Sequence, residues 1–153
     1  MKYLILFFGL VLSTLFSCSS MKDGQPTIKQ GVYGKVIWQE GNMMPSPDAP
    51  VKNAGKPIER TLRIYELTTL KQVSGDMPLF KSNSAVLVAE TKSDTAGNFQ
   101  CKLKAGMYSI FTVEPENELF ANLFNDKGEI AVFEVKDGTL TKVDININYK
   151  AAF

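Results

Sequence analysis

From Gly31 onward, apolar and polar residues alternate with a period of two almost everywhere. Val32, Gly34, Val36 and Trp38 oppose Tyr33, Lys35 and Ile37, and Leu62 and Ile64 oppose Arg63 and Tyr65. Val86 and Val88 open a third run. Phe99, Cys101 and Leu103 oppose Gln100, Lys102 and Lys104. Met107, Ser109, Phe111 and Val113 oppose Tyr108, Ile110 and Thr112. After Phe133 and Val135, the last run sets Val143, Ile145, Ile147 and Tyr149 against Lys142, Asp144, Asn146 and Asn148. Successive side chains of a strand point to opposite faces. The pattern therefore predicts roughly seven short strands in an all-β, antiparallel sandwich or barrel. Only Leu119–Phe124 has a spacing that would also suit one helical turn.

Turn chemistry separates the runs. Asp94-Thr95-Ala96-Gly97 offers an Asp cap and a Gly for positive φ, joining the third and fourth strands. Ala105-Gly106 reads as a tight hairpin, and Asp137-Gly138 as a type I′ hairpin between the last two strands. Two stretches do not alternate: Gln39–Glu59, with Pro45, Pro47, Pro50 and Pro57, and Thr68–Ser84. Both are long for connections on a sandwich, where binding often resides.

Ahead of the strands the chain reads as an address. Met1-Lys2 is followed by an apolar run, then Leu15-Phe16-Ser17-Cys18 and an abruptly polar stretch. That is the layout of a cleaved export signal. The apolar run is shorter than the roughly 20 residues a membrane-spanning helix needs. Leu15 to Cys18 resembles the lipobox of bacterial lipoproteins, which makes Cys18 the lipid-attachment residue and the new N-terminus. The expected organisation is a signal peptide over residues 1–17, a flexible tether over 18–30, a β-sandwich over 31–149 and a tail over 150–153. The implied location is the cell envelope, anchored by lipid to the outer membrane.

Composition narrows the function. With Lys2 removed, 16 basic residues face 16 acidic ones, without Lys/Arg clusters, which argues against a nucleic-acid partner. The chain contains no histidine. That excludes Ser-His-Asp triads, Cys-His pairs and histidine metal sites, and neither a metal nor a cofactor is expected. Cys101 is expected in the core with Phe99 and Leu103. Glu114, Glu116 and Glu118 read as a solvated rim, and Asn125–Glu129 as a turn.

Gly31-Val32-Tyr33-Gly34-Lys35-Val36, Thr91–Phe99 (T-x-x-D-x-x-G-x-F) and Leu103–Ile110 (L-x-x-G-x-Y-x-I) resemble the carboxypeptidase regulatory-like, transthyretin-like domain. The resemblance spans Gly31 to Tyr149. It implies a single Greek-key sandwich of about seven strands and an accessory role without catalysis. The expectation is a non-enzymatic, lipid-anchored module that binds a protein or glycan partner. Alternatives are a structural subunit of an outer-membrane complex and a hydrolase built on carboxylates alone. The expected contact residues are Trp38, Met43 and Met44 at the start of the longest loop, unless that loop only covers the end of the sandwich.

Overall fold

The computed structural model describes residues 21–44 and 55–153. These residues form twelve strands in two sheets, with no α-helix among them. The first sheet is built on β1 (Gly31–Asn42), which turns Val32, Val36 and Trp38 inward by simple alternation. Gly34 shares that inward face because nothing larger fits: a Cβ there would run into the backbone carbonyl of Val143. On one edge β1 pairs antiparallel with β7 (Asn98–Lys102) and β2 (Lys56–Pro57). On the other it pairs in parallel with β11 (Leu140–Lys142) and then β12 (Ile145–Ala152).

The second sheet is antiparallel throughout. Its order is β4 (Val73–Asp76), β5 (Leu79–Asn83), β9 (Leu119–Phe120), β8 (Gly106–Val113), β3 (Thr61–Glu66) and β6 (Leu87–Lys92). A further strand, β10 (Val132–Val135), pairs with the first half of β8.

Several expectations need correction. The sandwich is not antiparallel throughout, because β11 and β12 return from the second sheet running in the direction of β1. Period two reports which face a residue takes and carries no information on strand direction. The extra strands β2, β4, β5, β9 and β11 have two to five residues each, too few to alternate visibly. Lys150, Ala151 and Ala152, expected as a tail, extend β12 because Glu40, Gly41 and Asn42 give them partners.

The segment expected as a flexible tether is fixed over its later part. Thr27 N donates to Gln100 Oε1 (2.8 Å), and Gln100 Nε2 donates back to Thr27 Oγ1 (2.8 Å). Gln30 Nε2 donates to Leu103 O (2.9 Å), while Gln30 Oε1 accepts from Gly138 N (2.7 Å). Gln100 lies between two core residues and so faces outward, yet it is buried. The neighbouring Thr27 supplies its polar partners.

Hydrogen-bonded turns form at Asp94–Gly97 and Asp137-Gly138, Ala105 is only a bend, and none of the three joins paired strands. Asp94 Oδ1 accepts from Asn98 N (2.8 Å) and Gly97 N donates to Asp94 O (2.8 Å). Gly97 has φ +79°, and a Cβ there would lie 2.5 Å from Val36 O. Yet β6 belongs to the second sheet and β7 to the first. The Ala105-Gly106 connection carries the chain back from β7 to β8, so it is no hairpin. At Asp137-Gly138, Thr139 N closes on Lys136 O (3.1 Å) and only Gly138 takes positive φ (+67°). That is not a type I′ turn, and it sends β10 across to β11. Turn residues bend the chain, and the sheet that receives it is chosen by distant packing.

The main core lies between the sheets, with Phe99, Cys101 and Leu103 inside as predicted. A second, smaller core covers the outer face of the second sheet. It exists because β8 buries both faces: Tyr108 and Ile110 enter the main core, and Phe111 enters the second with Tyr65, Phe80 and Ile130. Thr68–Ser84 is accordingly no open loop. A short 3₁₀ turn at Leu70–Gln72 and the β4–β5 hairpin bring Phe80 edge-on to Phe111, 6.2 Å between centroids. Leu119–Phe124 forms no helical turn. Two residues pair as β9, and Phe124 then bridges Ile130.

Candidate binding cleft

The residues marked by the sequence do not form one surface. Cys18 lies outside the described residues, as do residues 45–54 of the Gln39–Glu59 loop. Trp38 is 7% exposed and packs into the main core. Its ring meets Tyr149 edge-on at 5.3 Å, with the Arg60 guanidinium 5.5 Å and the Lys150 ammonium 5.8 Å from its centroid. A hydrogen bond from Trp38 to Glu40, with Lys56 adding a second, holds the Glu40 carboxyl below its ordinary pKa. Met43 is half-buried and its N–H donates to Ala152 O (2.8 Å). Met44 is exposed, and its N–H donates to Asn42 Oδ1 (2.9 Å). Trp38 is thus a core residue, and the two methionines continue the β1–β12 edge.

The acidic stretch also divides. The 3₁₀ turn Pro115–Asn117 lifts Glu116 into solvent, whereas Glu114 is 4% exposed and belongs to no solvated rim. Arg60 Nε donates to both Glu114 oxygens (3.2 and 3.3 Å). Thr112 Oγ1 donates to Oε1 (2.9 Å) and the Tyr149 hydroxyl to Oε2 (3.0 Å). Burial, followed by that bond to Glu114, pushes the Tyr149 phenol up to about 12. Removed from water, the carboxylate retains a counter-charge and two hydroxyl donors, and among the described residues no buried side-chain polar atom is orphaned.

An open cleft of about 480 Å³ lies at another edge, between the start of β12 and the chain leaving β9. Its apolar wall comes from Ile110, Phe120, Ala131, Val143 and Ile145. The chain must turn sharply beside it. Ala131, at φ +42°, donates its N–H to Leu123 O (2.8 Å), which holds Leu123 and Phe124 at the lip. These two remain 66% and 55% exposed, a large apolar surface left in water.

Polar groups border the same space. Asn122 Nδ2 donates to Asn146 O (3.3 Å) and Asn148 Oδ1 (3.0 Å). Asp144 accepts from Lys35 N (3.0 Å) and pairs with Lys142 (3.0 Å), which raises the lysine pKa. Asn125–Glu129 is a turn, as predicted. Asn125 Oδ1 accepts from Lys127 N (3.0 Å) and Glu129 N (3.1 Å), and Asn125 Nδ2 donates to Glu129 (2.7 Å).

The cleft combines an apolar floor, of the size used for small ligands or side chains, with a few directed polar groups at its lips. Among the described residues no three Cys, Asp or Glu side chains converge as metal ligands, and no helix is long and apolar enough to cross a membrane. Sequence reasoning did not select the cleft. Its trace was Leu123-Phe124 standing directly before the Asn125–Glu129 turn. Set against protein-family models, curated proteins and solved structures, the chain matches none.

Proposed function

We propose that the chain is a lipid-anchored, non-catalytic module of the cell envelope that binds a protein or glycan partner through the cleft beside Leu123 and Phe124. The observation that carries this reading is the cleft itself, with two large apolar side chains held in water by a hydrogen-bonded turn. Glu114 supports the non-catalytic part. Both its oxygens are bonded to Arg60, Thr112 and Tyr149 beneath packed aromatic rings, an arrangement suited to holding strands together. The Greek-key, transthyretin-like assignment belongs to the same proposal. Its support is that the three resembling segments fall on β1, on the β6–β7 turn and on β8.

Anchoring rests on Cys18. Acyl chains contribute about 0.8 kcal/mol per buried CH₂, so two or more hold a protein on a membrane. The test has two arms. Cys18→Ser should move the protein from the membrane to the soluble fraction or stall its processing. Leu123→Ser with Phe124→Ser should leave it folded and membrane-bound while abolishing recovery of its cross-linked partner from its own membranes. Normal cleavage and membrane retention of Cys18→Ser would refute the anchor. Undiminished partner recovery by the double variant would refute the cleft.

A further inference from the structure

The open cleft and the edge of β12 are one continuous feature. The first residues of β12, with Asp144 just before them, form one wall of the cleft. Among the described residues β12 pairs only with β1, so its far side is a sheet edge. The carbonyl of Asn146 points to that side, because it accepts from the Asn122 side chain and not from β1. The register between β1 and β12 shifts by one residue beyond Ile147, so the edge runs regularly over Ile145, Asn146 and Ile147. An asparagine amide therefore stands where the N–H of a neighbouring strand would stand, held by bonds of 3.3 and 3.0 Å.

Resting on the cleft reading above, we propose that the occupant is an extended peptide segment. It displaces the Asn122 amide, adds to the edge of β12 at Asn146 as a further strand and seats one apolar side chain between Leu123 and Phe124. Main-chain bonding to a sheet edge with a pocket for alternate side chains is a general mode of peptide recognition. The edge supplies the backbone groups, and the adjoining cleft supplies one pocket at the position where a side chain of the added strand would turn in.

Charge narrows the peptide further. Glu129 on the far lip is bonded to the neutral Asn125 amide and has no basic partner among the described residues. On the near lip Asp144 is neutralised by Lys142. A Lys or Arg next to the apolar residue would meet Glu129 without facing a competing cation on that carboxylate. A saccharide would use the polar lips but would leave the backbone groups of Asn146 without a strand partner.

The test screens the full chain, purified in detergent, against a positional library of acetylated octapeptides. Selected peptides should carry Leu, Ile, Val or Phe beside Lys or Arg and should lack proline. They should slow amide exchange at Asn146. Methylating the peptide amides that face β12 should weaken binding about tenfold, and methylating the alternate set should change it less than about twofold. Leu123→Ser with Phe124→Ser should cost about tenfold. An empty screen, equal effects of both methylation registers, or protection along β6 instead would overturn the proposal. Concentration-dependent protection of β12 without peptide would overturn it in favour of a second copy. Chitobiose, cellobiose or maltose displacing nothing yet shifting Leu123 and Phe124 resonances would overturn the added strand while leaving the cleft as a binding site.

Discussion

β12 passes through two regions built on opposite terms. At Tyr149 it closes the sandwich: a phenol, a guanidinium and a threonine hydroxyl surround one buried carboxylate, and Trp38 and Phe120 pack against the phenol ring. Three residues earlier, at Asn146, it borders an open cleft where amides face solvent and two large apolar side chains stay wet. Polar groups are inside in the first region, and apolar groups are outside in the second. The contrast shows where each kind of energy is used. A buried ion pair is costly to break once formed, whereas exposed apolar area adds nothing to folding until something covers it.

The sharpest way to break this comparison is Glu114→Ala. It leaves Arg60 and the Tyr149 hydroxyl without their acceptor and should cost about 3 kcal/mol in urea melts, the lower end for a buried pair because Arg60 is partly exposed. A loss under about 1 kcal/mol would show that the network is no better than a surface pair.

Tyr149→Phe should cost about 1.5 kcal/mol at neutral pH, as expected for a hydroxyl bonded to a charged group. It also sharpens the picture through pH. The folded phenol is raised to about 12 from the ordinary 10, so the neutral form is favoured in the folded state. The stability it contributes is complete below about pH 10 and is lost as pH rises through about 12. The parent should therefore lose stability over that interval more steeply than Tyr149→Phe. Tyr108, also raised by burial and by Glu66, adds a slope common to both proteins. Parallel slopes would mean that Tyr149 is no more buried in effect than an ordinary surface tyrosine.

Asn122→Ala removes one long, exposed bond and one ordinary, partly buried bond and should cost about 0.5 kcal/mol by chemical denaturation. The smallest expected change belongs to Leu123→Ser with Phe124→Ser, within about 0.5 kcal/mol of the parent, because water already covers both side chains. If that double variant melted as early as Glu114→Ala, the cleft would be part of the core and the contrast between the two regions would collapse.

Much of the fold is legible in the residues alone. Alternation marks the long strands and puts Cys101, Phe99 and Leu103 in the core. Asp94, Gly97 and Gly138 mark real turns, because φ above zero and side-chain caps are demands of a few consecutive residues. Glu114 reads wrongly as a rim residue for the same reason that Phe111 announces no second core. A residue two positions past a core position has a predictable side, but whether that side meets water depends on Arg60, Tyr149 and the β4–β5 hairpin, all distant in the chain. Local backbone geometry is written in neighbouring residues, so the amino-acid order is enough for the longer alternating strands, their inward faces and the turns at Asp94–Gly97 and Gly138. Direction of pairing, the sheet each turn leads to, the burial of Glu114 and the open cleft beside β12 emerge only when the chain packs. They depend on which remote segments arrive to satisfy hydrogen bonds and exclude water.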